Sequence, residues 1–178
     1  MMLHFIKQIK LALDRILEGI VIIAMSLLVF DVLWQVFARK VLENPSKWTE
    51  EAATFLLVWV ALLGAAVALG RGAHLGIDYF TGKLALAKRI KIETAAFTLI
   101  FLFSAYVMVY GGWDFVSTTL ELGQVSASLG IKMGYIYLAV PVSGVFMCIY
   151  SFMGIAERLS GRADIPVSDQ DNDGEVSK

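Results

Sequence analysis

The sequence predicts an all-α integral membrane protein of four transmembrane helices, and three observations carry that prediction. The 178-residue chain is 58% hydrophobic and only 17% charged, a balance far from that of a soluble domain. Its apolar residues gather in long stretches free of Asp, Glu, Lys, Arg and His, matching the ~20 residues a helix needs to cross a ~30 Å hydrocarbon core. Its Lys and Arg residues divide unevenly among the segments between those stretches, which gives the protein a sidedness.

The first span is expected over residues 16–38, between Arg15 and Arg39, with Glu18 near one end and Asp31 toward the other. A secretory signal peptide is the competing reading, because Val36 and Ala38 resemble the small residues of a cleavage site. The stretch is too long for one, and Asp31, Trp34 and Gln35 interrupt it where a signal peptide is simplest. The second, third and fourth spans are expected over 52–70, 94–113 and 133–156, which carry none of the five ionisable types named above. Residues 1–162 therefore form a single membrane domain. The segment from Gly72 to Lys91 mixes Leu75, Ile77, Tyr79 and Phe80 with several basic residues; it is too polar to span and is expected to lie along the cytoplasmic interface. Residues 163–178, with Asp164, Asp169, Asp171, Asp173 and Glu175, are expected to be an acidic disordered tail.

Orientation follows from the basic residues. Lys7, Lys10 and Arg15 precede the first span, Arg71, Lys83, Lys88, Arg89 and Lys91 fall between the second and third, and Arg158 and Arg162 follow the fourth. Against these stand Arg39, Lys40, Lys47 and Lys132 in the other two connections, so both termini are expected in the cytoplasm. Trp34, Trp48, Trp113, Tyr135 and Tyr137 sit at the opposite ends of the spans, where amphipathic rings favour the headgroup region.

Chemistry is sparse. His4 and His74 both fall outside the spans, so they cannot supply paired membrane-embedded haem ligands. No Cys, His, Asp and Glu cluster has metal-ligand spacing, and no glycine-rich loop joins a strand to a helix. The sequence is read as neither an enzyme nor a cofactor carrier, with membrane lipid and no nucleic acid among its partners. Cys148, the only cysteine, lies in the fourth span and reads as a small apolar core residue.

Asp31 is the most conspicuous ionisable group inside a span, and such groups raise a functional hypothesis by default, here a proton or coupling-ion site. The plainer reading, which is preferred, places it about two turns from the outer helix end, satisfied by water or a partner helix. Gln35 and Arg39 follow it at i+4 and i+8 as a polar stripe. In the second span Ala61 and Ala65, and Gly64 and Ala68, are spaced for close helix approach and mark an interior helix, although Ala and Gly are common in all membrane helices. At its start Thr49 is a candidate cap while Glu50 and Glu51 meet the helix dipole, and Trp48 is an interfacial anchor. Pro141 is expected to kink the fourth span without ending it.

Taken together, Gln35 and Arg39 closing the first span, Trp48, Glu50 and Glu51 opening the second, Leu63 and Gly64 within it, and His74, Ile77 and Asp78 after it resemble one family. It is the small, DctQ-type membrane subunit of tripartite ATP-independent periplasmic (TRAP) transporters. Leu129, Gly130, Tyr135, Tyr137 and Pro141 resemble the family's approach to its last span. The resemblance covers roughly Ile16 to Arg158, with one departure: a single Arg71 stands where two basic residues are usual.

The resemblance implies a bacterial inner-membrane subunit with two protein partners. One is a periplasmic substrate-binding protein that captures a small organic acid, and the other is a large membrane subunit that moves it with a sodium gradient. The small subunit would widen the scaffold of the large one. In that picture Gln35, Arg39, Trp48, Glu50 and Glu51 fix the outer helix ends or meet a partner subunit, and Arg71, His74 and Asp78 do so inside. Seating helix ends among lipid headgroups explains the same residues equally well. The alternative is a self-sufficient small dimeric transporter with Asp31 or Glu18 as its coupling carboxylate.

Overall fold

A computed structural model describes residues 2–43, 47–71 and 86–159. The expected acidic tail lies outside the described residues, and so do residues 72–85 of the expected interfacial segment. Residues 86–91 of that segment are instead the first turns of a helix, in keeping with the strong helix formers Leu86, Ala87, Lys88 and Arg89.

The described residues are helical throughout, apart from connections and one isolated bridge between Val125 and Lys132. Helix α1 runs Met2–Val41 and α2 runs Lys47–Gly70. Helix α3 comprises Leu86–Phe103, a π-helical stretch Ser104–Gly111, and Gly112–Glu121. Helix α4 comprises Met133–Tyr137 and, after a turn at Leu138, Ala139–Leu159. Four segments are long and apolar enough to cross a membrane: Leu13–Val41, Lys47–Gly70, Ile90–Glu121 and Met133–Ala156. They overrun the charge-free stretches because charged residues at headgroup depth do not end a helix. At 1.5 Å per residue α1 is about 60 Å long, so part of it lies beyond a ~30 Å core.

The helices form a row rather than a closed bundle. Among the described residues the backbone of α1 comes close to that of α2 alone, α2 to α1 and α4, and α3 only to α4, giving the order α1–α2–α4–α3. One apolar cluster ties the row together: Leu17 from α1, Leu63, Ala66 and Leu69 from α2, Phe97 from α3 and Tyr150 from α4. Gly70 admits Tyr150 to this cluster, since a Cβ there would lie 2.9 Å from the Tyr150 Cζ.

The α3–α4 seam is the tightest. A Cβ on Gly134 would meet Leu120, one on Gly144 would fall 2.7 Å from the Met108 Cβ, and one on Gly154 would fall 2.7 Å from the Phe97 ring. Met108 belongs to the π-helical stretch, whose wider turn displaces its side chains relative to an α-helix. Pro141 cannot donate to Tyr137, and a one-residue turn at Leu138 divides α4, but the Leu138 amide still donates to the Gly134 carbonyl and the Val142 amide to the Leu138 carbonyl, each at 3.1 Å, so the helix continues past the proline.

Two expectations are corrected. Ala61, Ala65 and Ala68 are exposed, and nothing lies within 4 Å of a Cβ built on Gly64. Helix α2 is interior to the row, but through its Leu63, Ala66 and Leu69 face. Spacing identifies a stripe of small residues, not which stripe is covered. Thr49 does not begin α2: the helix starts at Lys47, and Thr49 lies fully buried in its first turn. Cys148 is half-buried, its Sγ 4.0 Å from the Phe101 carbonyl oxygen.

Candidate functional site

The row has two ends. One carries the α1–α2 and α3–α4 connections and is called the loop end; the other carries Glu18, Arg71, Glu93 and Arg158 and is called the tail end.

At the loop end the α3–α4 connection folds on itself. Gly123 and Gly130 take φ of 62° and 66°, left-handed values that glycine adopts without a Cβ clash. The Ser126 amide donates to the Ile131 carbonyl at 2.9 Å and the Met133 amide to that of Gln124 at 2.9 Å. The turn leaves the consecutive amides of Ser128 and Leu129 pointing the same way, a small anion nest. Glu51 fills it. Its carboxylate accepts from the Ser128 amide at 3.0 Å and from the Leu129 amide at 3.1 Å, and the Ser126 hydroxyl oxygen also accepts from Leu129 at 3.2 Å. Beside this latch, Lys47, Glu50, Thr54, Gln124 and Val125 line an open crevice of 710 Å³.

A second concavity opens sideways between α1 and α2. It measures 520 Å³ and is lined by Leu27, Phe30, Asp31, Trp34, Trp48 and Leu56. Asp31 is its single acidic lining residue; it is 9% exposed, and its Oδ2 is buried without a hydrogen-bond donor among the described residues.

At the tail end two ion pairs tie neighbouring helices. Arg71 reaches Glu18 of α1 at 2.7 Å, with the arginine side chain 63% exposed. Arg158 of α4 pairs with Glu93 of α3 at 3.0 Å, donates to the Gly154 carbonyl at 3.1 Å, and stacks 4.2 Å over the Phe97 ring. The second pair is the more enclosed, with Glu93 buried.

Measured against these contacts, the expected residues separate. Glu51 holds a loop of its own chain and Arg71 holds Glu18. Trp48 is half-exposed and walls the lateral slot, while Glu50 is exposed on the crevice. Gln35 is half-buried and Arg39 exposed, and no ion pair joins Arg39 to Glu50 or Glu51. His74 and Asp78 lie outside the described residues. Sequence reasoning missed the Glu93–Arg158 pair, although Glu93 directly precedes one charge-free stretch and Arg158 closely follows another. That placement was the available signal.

Comparison with known proteins gives one consistent result. Residues 16–161 match the family of tripartite ATP-independent periplasmic transporters, DctQ component. The sialic acid TRAP transporter small permease protein SiaQ of Vibrio cholerae is 28% identical over 142 residues, 80% of each chain. The C4-dicarboxylate TRAP transporter small permease protein DctQ of Rhodobacter capsulatus is 29% identical, over 68% of this chain and 53% of that protein. The sialic acid TRAP transporter permease protein SiaT of Haemophilus influenzae is 29% identical over 64% of this chain, yet only 18% of its own length is matched.

Proposed function

From the premise that this chain belongs to the DctQ component family of tripartite ATP-independent periplasmic transporters, we propose that it is a non-conducting flank of a larger permease. It packs beside a large membrane subunit and widens the scaffold against which that subunit works. The transport is sodium-driven uptake of a small organic acid delivered by a periplasmic binding protein. The substrate class follows by analogy with relatives named for sialic acid and C4-dicarboxylates. The match to a segment of a much longer permease supports the partnership, since a fused chain must pack its parts together.

The observation that carries this reading is the row. A pathway needs polar groups that converge around an enclosed volume, whereas these four helices lie side by side with their charged contacts at the ends. Glu18, a coupling carboxylate in the alternative reading, is engaged by Arg71. The chain acts as neither an enzyme nor a transporter by itself. Both termini lie in the cytoplasm, which places the Glu51 latch and its crevice on the periplasmic face, and this orientation rests on the distribution of Lys and Arg.

Capture of the tagged chain from its native membrane tests the proposal. The expected result is recovery of a many-span membrane protein in a fixed ratio; recovery of this chain alone contradicts it.

A further inference from the structure

We propose that the lateral slot between α1 and α2 is the docking site for a transmembrane helix of the large subunit, and that this helix presents a Lys or Arg to Asp31. The inference rests on the preceding reading of the chain as partner to a large permease.

Three observations select that occupant. The slot is apolar except at Asp31, whose Oδ2 is buried without a donor among the described residues, and a carboxyl so placed stays charged only when something pairs with it. An acyl chain fills the apolar walls but offers no donor. A lipid amine would have to descend far from the headgroups, because Asp31 lies about 15 Å along the axis from the end of α1 at Val41.

A second copy of this chain also fails. No Lys or Arg occurs between Arg15 and Arg39, between Lys47 and Arg71, between Lys91 and Lys132, or between Lys132 and Arg158. The Lys and Arg residues within the spans of a second copy stand near the span ends, and in a parallel copy the nearest along α1, Arg39, lies eight residues and about 12 Å along the axis from the depth of Asp31. The complement comes from a different chain, and a long basic side chain suits the slot because its methylene stem lies against Phe30, Trp34 and Trp48 while its head reaches the carboxylate. Helix α1, which approaches only α2, leaves that side of the row open.

Photocrosslinking in the complete transporter tests the proposal. Phe30, 69% exposed at the slot, and Leu99, 68% exposed on α3, are replaced one at a time by a photoreactive phenylalanine analogue, with the large subunit co-expressed. The expected result is an adduct between position 30 and the large subunit, at least several-fold above that from position 99. Adducts from position 30 only with lipid, or only with a second copy, overturn the proposal.

Asp31→Leu and Asp31→Asn supply the charge test. Both remove an uncompensated buried charge, so the variant chain alone should melt no lower than the wild type. Recovery of the large subunit should nevertheless fall about tenfold or more, because the partner's cation is left unpaired. Undiminished recovery with either variant overturns the proposal. Failure of the wild-type chain to retain any large subunit is a different result, and it contradicts the parent reading.

Discussion

The two seams that flank α2 treat a carboxylate in opposite ways. Where α2 meets the α3–α4 connection, Glu51 is fully used, accepting from two backbone amides of its own chain. Where α2 meets α1, Asp31 is the more deeply covered of the two, yet among the described residues it has no donor for its Oδ2. The first arrangement completes the fold of a single chain, and the second leaves an incomplete site facing outward. In a membrane the contrast is sharper than in water, because lipid cannot hydrate a group that the protein leaves unpaired.

The strongest way to break that contrast is at the self-sufficient side of the row. Arg158→Ala removes the guanidinium paired with Glu93 in an enclosed position, and the expected loss is up to about 3–5 kcal/mol, read as a large fall in melting temperature in detergent. Arg71→Ala removes the corresponding contact from an exposed pair. If both variants melt alike, burial is not what separates the two tail-end contacts.

Overpacking gives the next effect. Gly154→Ala drives a Cβ against the Phe97 ring and should destabilise by about 1–3 kcal/mol. Gly64→Ala meets nothing within 4 Å and should leave the melting temperature of the isolated chain unchanged. Glu51→Ala releases the loop latch by removing its charge-assisted hydrogen bonds to the Ser128 and Leu129 amides. Hydrogen exchange at the Ser128 and Leu129 amides reads it, and unchanged protection there would show that the loop holds its shape unaided. The smallest effect is that of Arg71→Ala itself, about 0–1 kcal/mol.

Much of this architecture was legible in the sequence because hydrophobicity over ~20 residues leaves few alternatives for a segment. Four spans and the clustering of charge at their ends follow from that alone. The lateral order α1–α2–α4–α3 does not, since nothing in the span compositions says which neighbours touch. Small residues misled for the same reason: Ala61 and Ala65 have the spacing of a contact stripe but face away from the row, whereas Ala66 is buried.

At the candidate site the reading identified Glu51 and Arg71 without their partners. Glu51 bonds to backbone amides 77 and 78 residues away, and backbone amides carry no residue signature. Arg71 meets Glu18, which had been considered only as a coupling group. The π-helical stretch Ser104–Gly111 left no readable mark in the periodicity. Asp31 was conspicuous from the start, but only the structure shows the slot around it and the enclosure of its Oδ2.

The central claim is that this chain conducts nothing alone. Proteoliposomes holding the chain by itself, with its large subunit, and with the large subunit plus binding protein test it most directly, with labelled organic acid and an imposed sodium gradient. The account predicts uptake only when the large subunit and binding protein are both present. Uptake by vesicles holding this chain alone would contradict it.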